Sequence, residues 1–411
     1  MLKLTRTQYL PIGIDVGADS IKLMQLQITG DDLEVTCAAR EAMPFTPAGD
    51  IKSRTAVALG IIRRSMREND FRGRKSIIAL PRELVQLKNL RLPIMPAADT
   101  VSALQFEAKN LFPFDTDLAT LNHLIAGEVR QGSDAKQEIM VLAAKNAEIE
   151  QYVEQLHAGG LLLESLDYEP CAIYRSIERF MRRKEDEHDV HVLVDIGLRR
   201  SQVLIGRGRD IAMIKPIEIG GQMMRDAVAR KLGITVEEAI GLRRRLIDSA
   251  EQQTTGIRDA VREAVEDSLR SILEDLAREV SLCLRYYSVT FRGARPLALR
   301  TIGGEGGDPQ LIRILGGALS VPVTVGRSIQ NIDYSRMRAT LRQGEMSEWS
   351  IAMGLSLKGT DRYFSGREGR PRGTVAPGDA VETEVARPSA VQAIAARLLD
   401  GFDGSPGVAH A

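Results

Sequence analysis

The first part of the chain alternates short apolar runs with tight polar turns, a pattern typical of β-strands joined by hairpins. Residues 11–40 read as three strands, PIGIDV, IKLMQLQ and LEVTCAA, separated by the turns GADS and TGDD. Glycine and aspartate are the residues that such turns favour. This segment therefore predicts three strands linked by tight turns.

A second copy of this layout begins at His191 with the strands HVLVDI, SQVLIG and IAMIKPIEI, separated by the turns GLRR and RGRD. Each copy ends its first strand on an aspartate followed closely by glycine, and the two aspartates, Asp15 and Asp195, are 180 positions apart. Internal duplication of this kind predicts two related lobes.

Helices and strands are mixed throughout the rest of the chain, which indicates an α/β protein. An apolar stripe at helical spacing marks residues 235–291, and we interpret it as a core-facing helix because its heptads are not sustained as in a coiled coil. Between the two copies the pattern predicts a helix at 56–68, a strand at 76–80, an alternating strand at 84–92, a helix at 100–111, a strand from Glu138, a helix ending at Gly159 and Gly160, and a strand at 161–168.

The length of 411 residues fits two lobes better than one compact domain. We expect a first lobe over residues 1–190 with a small inserted subdomain at about 84–150. A second lobe would cover 191–340, with a helical subdomain at about 225–292, and a return helix at 341–358 would rejoin the first lobe. Glycine, proline and charge then predict a disordered tail at 359–411, interrupted by a segment at 390–402 with an apolar face.

Composition excludes several classes of function. Lysine plus arginine and aspartate plus glutamate number 55 each, so no overall field favours nucleic acid. Three cysteines far apart, Cys37, Cys171 and Cys283, predict neither a disulfide framework nor a metal site. Because no stretch approaches the roughly 20 apolar residues that span a bilayer, we expect a soluble, cytoplasmic chain.

The first hairpin carries candidate phosphate chemistry. Its small residues let phosphates approach backbone N–H groups, its hydroxyl and lysine add donors, and its first carboxylate can hold water on Mg²⁺. The alternative is an ordinary tight hairpin. The residues concerned are Asp15, Gly17, Ala18, Asp19, Ser20 and Lys22.

Three later elements extend this picture. Asp195 and Gly197 would grip phosphates from the other side of a cleft, and Gly303 and Gly304 would allow a flat ring or a sugar to approach the backbone. Glu169 precedes Pro170 at a predicted helix start. The alternative to a role in the site is that its negative charge only interacts favourably with the positive end of the helix dipole. The glycines, likewise, would serve equally in a turn that needs positive φ.

These elements occur in the order phosphate 1, connect 1, phosphate 2, adenosine, which resembles the superfamily of actin, FtsA and the heat-shock chaperone ATPases. The chain most resembles the type IV pilus assembly protein PilM family, through FEAKNLFPFDTDLATLNHLI, IEIGGQMM and WSIAMGLSLKG, over residues 12–358. The resemblance implies an actin-like fold of two lobes, with ATP and Mg²⁺ between them and Asp15 and Asp195 at the metal.

The resemblance also implies roles for Gly220 and Gly221, which follow phosphate 2, and for Ser201. Two segments depart from the pattern of relatives. Arg200 stands where relatives place a small residue or threonine, so that it would pair with a γ-phosphate or obstruct it. Arg243 ends a stretch that in relatives reads Ala-Glu-x-x-Lys near the ribose. Glu169 matches the position that orders water in relatives, and the family implies at most a slow ATPase.

The function that the resemblance implies is a cytoplasmic scaffold or adaptor of a type IV pilus or secretion machine. Other platform components would hold it at the inner membrane, and the resemblance allows a homo-oligomer. Its partner would be the N-terminal cytoplasmic peptide of a PilN-like membrane protein, bound by the subdomain between residues 84 and 144. Phe112 and Phe114 would either line a peptide-binding groove in this subdomain or close the subdomain's own core. Alternatives are an FtsA-like filament or division tether and a small-molecule kinase of the same fold.

Overall fold

A six-stranded sheet forms the core of the first lobe. In the computed structural model, which describes residues 7–30, 32–44, 50–181, 183–252, 258–342 and 344–360, its strand order is β1-β3-β2-β5-β9, with β4 also paired to β3. The hairpin strands pair antiparallel, whereas β2, β5 and β9 run parallel. The strands are β1 (Thr7–Tyr9), β2 (Ile12–Val16), β3 (Ser20–Thr29), β4 (Asp32–Ala42), β5 (Lys75–Ala79) and β9 (Leu162–Asp167).

The second lobe repeats this layout in a five-stranded sheet of order β12-β11-β10-β13-β14. Its first hairpin has the same register as that of the first lobe, because Asp15 lies opposite Lys22 and Asp195 lies opposite Gln202. The strands are β10 (Val190–Ile196), β11 (Ser201–Arg207), β12 (Asp210–Ile217), β13 (Ala298–Ile302) and β14 (Val323–Val325).

Helices cover the sheets of both lobes. The apolar stripe of the long helix α7 is buried at Leu269, Leu273, Leu276 and Val280, which confirms that this stripe faces the core. None of the described helices is both long and apolar enough to span a bilayer. Outside the insert the helices are α1 (Ile51–Glu68), α3 (Asn146–Ala158), α4 (Glu169–Glu178), α5 (Gly221–Leu232), α6 (Val236–Gln252), α7 (Asp259–Phe291), α8 (Pro309–Ala318) and α9 (Ser350–Leu357).

The inserted subdomain is a three-stranded antiparallel sheet of order β6-β8-β7, made of β6 (Gln86–Pro93), β7 (Ala119–Gln131) and β8 (Asp134–Lys145), with the helix α2 (Ala97–Leu111) on one face. Leu104 and Phe112 pack with Ile139 and Val141 in its core. Strand β7 contacts β12 and α7 of the second lobe. The other edge strand, β6, pairs with no described strand on its outer side.

The chain returns to the first lobe earlier than the sequence predicted. Ile329, Ile332 and Met337 pack against Leu10 and Met24 of the first sheet, although we expected the second lobe to extend to residue 340. These side chains cover an apolar face of that sheet, and burial of this face accounts for the early crossing. The return helix α9 begins only at residue 350. Apart from residues 359 and 360, the predicted tail and its segment 390–402 lie outside the described residues.

Candidate functional site

A cavity of about 540 Å³ lies between the two lobes. Its volume falls within the range typical of small-molecule sites, roughly 300–1,000 Å³. Both hairpins reach it, together with the loop that follows β13. The predicted site residues that line it are Asp15, Gly17, Ala18, Asp19, Ser20, Lys22, Glu169, Asp195, Gly197, Arg200, Ser201, Arg243, Gly303 and Gly304.

The first hairpin turns tightly beside a buried ion pair. A Cβ atom on Gly17 would lie 2.7 Å from the carbonyl oxygen of Ser20, so this turn requires glycine. Lys22 Nζ lies 3.4 Å from Asp15 Oδ2, and each side chain is only 9% exposed. Burial raises the pKa of Asp15, while Lys22 opposes that shift. The lysine and the carboxylate thus line the cleft as an ion pair.

The second hairpin presents Asp195 in the same position. Its pKa is raised to about 6 by burial, against a hydrogen bond that Gln202 Nε2 donates over 3.3 Å. The turn closes where the Gly197 N–H donates to the carbonyl of Arg200. The Ser201 hydroxyl donates to the carbonyl of Ile219 over 2.7 Å, so its proton is already used within the protein.

Gly220 and Gly221 do not line the cavity, in contrast to the prediction that they contact the cofactor. Gly221 N–H donates instead to the carbonyl of Gly197 over 2.9 Å. A Cβ atom on Gly220 would lie 2.5 Å from the backbone of Arg199 and Arg200. Gly220 therefore supports the second hairpin from behind, where only a bare backbone fits, and Gly221 holds the hairpin through its N–H.

The loop after β13 packs closely onto the second hairpin. Gly303 has φ +88°, and its Cβ position is occupied by Asp195 Oδ1 and by the Ile196 carbonyl oxygen, the latter at 2.6 Å. The next residue, Gly304, has no atom within 4 Å of the equivalent position. Position 303 therefore requires glycine because of its backbone conformation and its close packing. Position 304 instead leaves open space at the cavity wall.

Arg243 lies at the cavity wall with its guanidinium held by the protein. Its Nη1 lies 2.9 Å from Glu305 Oε2 and its Nη2 lies 2.9 Å from Asp308 Oδ2. Asp308 also caps α8 through the N–H of Gln310. The arginine therefore joins α6 to the loop after β13, and neither of its two partners carries a local signal in the sequence.

Glu169 stands at the first turn of α4, as its position before Pro170 predicted. Burial, followed by repulsion from Asp195 and Asp15, raises the pKa of its carboxyl to about 8. In the ligand-free chain this carboxyl therefore keeps its proton to a higher pH than an ordinary glutamate does.

The carboxylates of the cleft suit a Mg²⁺ ion that takes most of its ligands from phosphate oxygens and water. Among the described residues no group of three or more histidine, cysteine, aspartate or glutamate side chains forms a metal cluster. Mg²⁺ in phosphate sites is typically bound by one or two carboxylates with phosphate oxygens and retained waters. Asp15 and Asp195, which lie on opposite hairpins and repel each other electrostatically, match that requirement.

Charged side chains also join the lobes across the cleft, which the sequence analysis missed. Arg225 of α5 donates to Asp19 Oδ1 over 2.8 Å and lies 3.4 Å from Glu305 Oε1. Within the first lobe, Arg40 lies 3.8 Å from Asp19 and 3.1 Å from Glu348, so it steadies the same carboxylate. Although burial raises the pKa of Asp19, the hydrogen bond from Arg225 gives it a net lowering.

A family model for the type IV pilus assembly protein PilM matches residues 13–360. The chain belongs to that family. The match covers nearly all of both lobes, and its limits agree with residues 12–358, over which the sequence showed the resemblance. The resemblance inferred from the sequence motifs is thereby confirmed.

The chain has the actin-like ATPase fold that the resemblance implied. The structure titled "PilM-PilN type IV pilus biogenesis complex" is 21% identical, with a TM-score of 0.68, over 85% of this chain and 98% of that chain. The ethanolamine utilization protein EutJ from Carboxydothermus hydrogenoformans is 13% identical, with a TM-score of 0.49, over 85% and 89%. The archaeal actin homolog Ta0583 is 11% identical, with a TM-score of 0.43, over 87% and 99%. The last two are too distant to carry weight.

Proposed function

We propose that this PilM-family chain is a cytoplasmic, ATP-binding scaffold of a type IV pilus or related secretion machine. The observation that carries the nucleotide part is the cavity of about 540 Å³, which two equivalent hairpins flank from opposite lobes. Backbone turns of this kind favour phosphate groups, because successive N–H groups can point at the anion. The loop at Gly303 and Gly304 would accept the nucleoside end.

The residues of the cleft suggest how ATP and Mg²⁺ would be held. Asp15 and Asp195 would contact the hydrated Mg²⁺, which neutralises charge on the phosphates. Lys22, now 3.4 Å from Asp15, would turn part of its hydrogen bonding to a phosphate oxygen. The family resemblance implies at most slow hydrolysis, so the bound nucleotide would serve mainly to join the lobes.

The nucleotide part is tested by what the protein carries. The full chain would be purified with Mg²⁺, denatured, and its released nucleotide identified by ion-exchange chromatography. We expect an adenine nucleotide near one per chain, removable by prolonged dialysis against a chelator. Absence of nucleotide after purification, together with no binding of added ATP by the dialysed protein, would contradict the proposal.

The partner part rests on the inserted subdomain. A small, mainly apolar cavity of about 30 Å³ lies where this subdomain meets the first lobe, lined by Leu80, Val85, Thr120, Asn122, Leu142, Ala143, Ala144 and Tyr168. Close by, the free edge of β6 leaves backbone groups available to an added strand. We propose that the cytoplasmic N-terminal peptide of a PilN-like membrane protein binds here. Such binding would hold the scaffold at the inner membrane together with other platform components.

The aromatic pair has a smaller role in this proposal than the sequence allowed. Phe112 is 6% exposed in the subdomain core, and its ring stacks on that of Phe114 at a centroid distance of 5.6 Å. Phe112 therefore closes the core, which was one of the two alternatives. Phe114 is only partly buried against the same core.

A synthetic peptide copying the cytoplasmic N-terminus of a PilN-like protein tests the partner site. Fluorescence anisotropy should detect binding to the full chain. Val85→Glu and Asn122→Arg should each weaken it at least about tenfold, because each places a charge against an apolar peptide surface. Phe106→Glu is the matched control, since this side chain is 71% exposed on α2 and lies outside the small cavity. Equal peptide affinity in wild type and all variants would exclude peptide binding at this small cavity.

A further inference from the structure

A second apolar row, here called the outer row, runs along the exposed side of α7 in its last three turns. Its members, Leu282, Tyr286 and Val289, are 47%, 41% and 73% exposed, whereas the core-facing stripe of the same helix is buried on the opposite side. Their spacing of four and three residues places them on one helix face. A surface helix normally carries a single apolar stripe. An exposed second row is therefore typical of a surface that another segment covers.

The outer row has a positive surrounding. Arg285 and Arg292 flank it, and residues 280–292 contain no aspartate or glutamate. On the side of the inserted subdomain, Arg91 of β6 is paired with Glu138 over 2.6 Å, so this pair adds no net charge.

The charges one turn earlier on α7 do not reverse this sign. Arg278 is paired with Asp275 over 2.7 Å. Burial raises the pKa of Cys283, and there Lys215 of β12 and Glu279 act in opposite directions, so these two charges offset each other. The outer row therefore suits an apolar segment that carries carboxylates.

The chain itself contains a segment of matching chemistry at 390–402, outside the described residues. Residues 379–403 hold five carboxylates and two arginines, a net charge of −3. Arg397 is the one basic residue within 390–402, which suits the outer row better than an anionic membrane surface. Four apolar residues of the segment recur at helical spacing, and these are Val391, Ile394, Leu398 and Phe402.

The described chain ends close enough to α7 for this segment to reach it. Helix α9, which ends three residues before position 360, packs against α4, and α4 and α7 both contact β11 and β12. The end of the described chain therefore lies no more than about three helix diameters, roughly 35 Å, from α7. The 29 residues at 361–389 can span up to about 100 Å.

We propose that residues 390–402 dock as an amphipathic helix on the outer row of α7 in the same chain. The four apolar side chains of the segment pack against the row, and Asp400 and Asp403 lie near Arg285 and Arg292. Because the linker keeps the segment at a high effective concentration, its own chain is favoured over a second copy even for a small contact. This inference goes beyond the proposed function and does not depend on nucleotide or on the partner peptide.

Hydrogen exchange of the full chain, followed by mass spectrometry, tests the docking. The variants are Val289→Glu in the outer row and Leu398→Glu in the segment, with thermal unfolding to verify that each is folded. Val101→Glu is the matched control on the folded part, because this side chain is 45% exposed on another helix, α2. Val375→Glu is the control within the tail, outside residues 390–402.

A photo-cross-link locates the contact independently. The full chain carries Phe402→benzoylphenylalanine and is irradiated at low micromolar concentration. Mass spectrometry then identifies the cross-linked peptides and separates links within one chain from links between two chains.

We expect the amides of residues 390–402 to exchange at least about tenfold more slowly in wild type than in the same peptide free in solution. Val289→Glu and Leu398→Glu should each lose this protection, because each places a charge in the apolar contact, and both controls should keep it. Cross-links should fall on residues 278–292 of the same chain. Exchange at the rate of the free peptide, or protection that survives Val289→Glu, overturns the proposal. Cross-links to another part of the chain, or between two chains, overturn it as well and assign the segment to that surface.

Discussion

The two neighbouring glycines of the loop after β13 give the sharpest structural prediction. Gly303 has φ +88° and is packed against Asp195 Oδ1 and the Ile196 carbonyl. A side chain in the left-handed region costs about 1–2 kcal/mol, and forcing an extra carbon into a packed site costs about 1–3 kcal/mol more. We therefore expect Gly303→Ala to lower the free energy of unfolding by about 2–5 kcal/mol.

Gly304→Ala is the matched control for this effect. Its Cβ would meet no atom within 4 Å, and its φ lies outside the left-handed region, so the unfolding free energy should change by less than about 0.5 kcal/mol. The new methyl group would nevertheless stand at the cavity wall, where we expect it to reduce nucleotide affinity. Stability and binding are thus perturbed separately at adjacent positions.

Urea unfolding followed by circular dichroism measures the first effect, and calorimetry with ATP and Mg²⁺ measures the second. If Gly303→Ala unfolds at the same urea concentration as wild type, the close contact between this loop and the second hairpin is wrong. If Gly304→Ala binds ATP as wild type does, the nucleoside does not approach this wall.

Three further predictions concern charge in the cleft. The pKa of Glu169 is about 8 in the folded chain and ordinarily 4.5, so the ligand-free protein should lose stability as pH rises from about 5 to 8. Glu169→Gln should lose less stability over this range, and a variant with the same pH profile as wild type would contradict this prediction. A double-mutant cycle on Arg225→Ala and Asp19→Ala should show an unfolding coupling of about 0.5–3 kcal/mol, while zero coupling would exclude the bridge. Arg200→Ala should reduce the preference for ATP over ADP in calorimetry, and an unaltered preference would remove the γ-phosphate role.

The hairpins were predictable because their information is local. Alternation of apolar and polar residues marks each strand, and glycine and aspartate mark each turn, so β2 and β10 lie within one residue of the predicted bounds. Asp15 and Asp195 could be related to each other because the whole motif is repeated. The shared cavity then follows from two equivalent hairpins facing each other.

Other features depend on contacts between distant parts of the chain. Arg225 reaches Asp19 across 206 positions, and neither residue carries a local signal of the other. Gly220 and Gly221 matched a family motif, yet the backbone of the second hairpin lies against Gly220 and the Glu305 side chain lies against Gly221. The segment holding Ile329 and Ile332 has no helical or strand period, so only the apolar face of the first sheet reveals where it packs.

Direct titration of ATP with Mg²⁺ into wild type, Asp15→Ala and Lys22→Ala tests the central claim. Each substitution removes one member of the buried pair at the first hairpin and, with it, a charge-assisted contact worth about 1.5–3 kcal/mol. We predict measurable binding by wild type and at least about tenfold weaker binding by both folded variants. Equal affinity in all three proteins would show that ATP does not occupy this cleft.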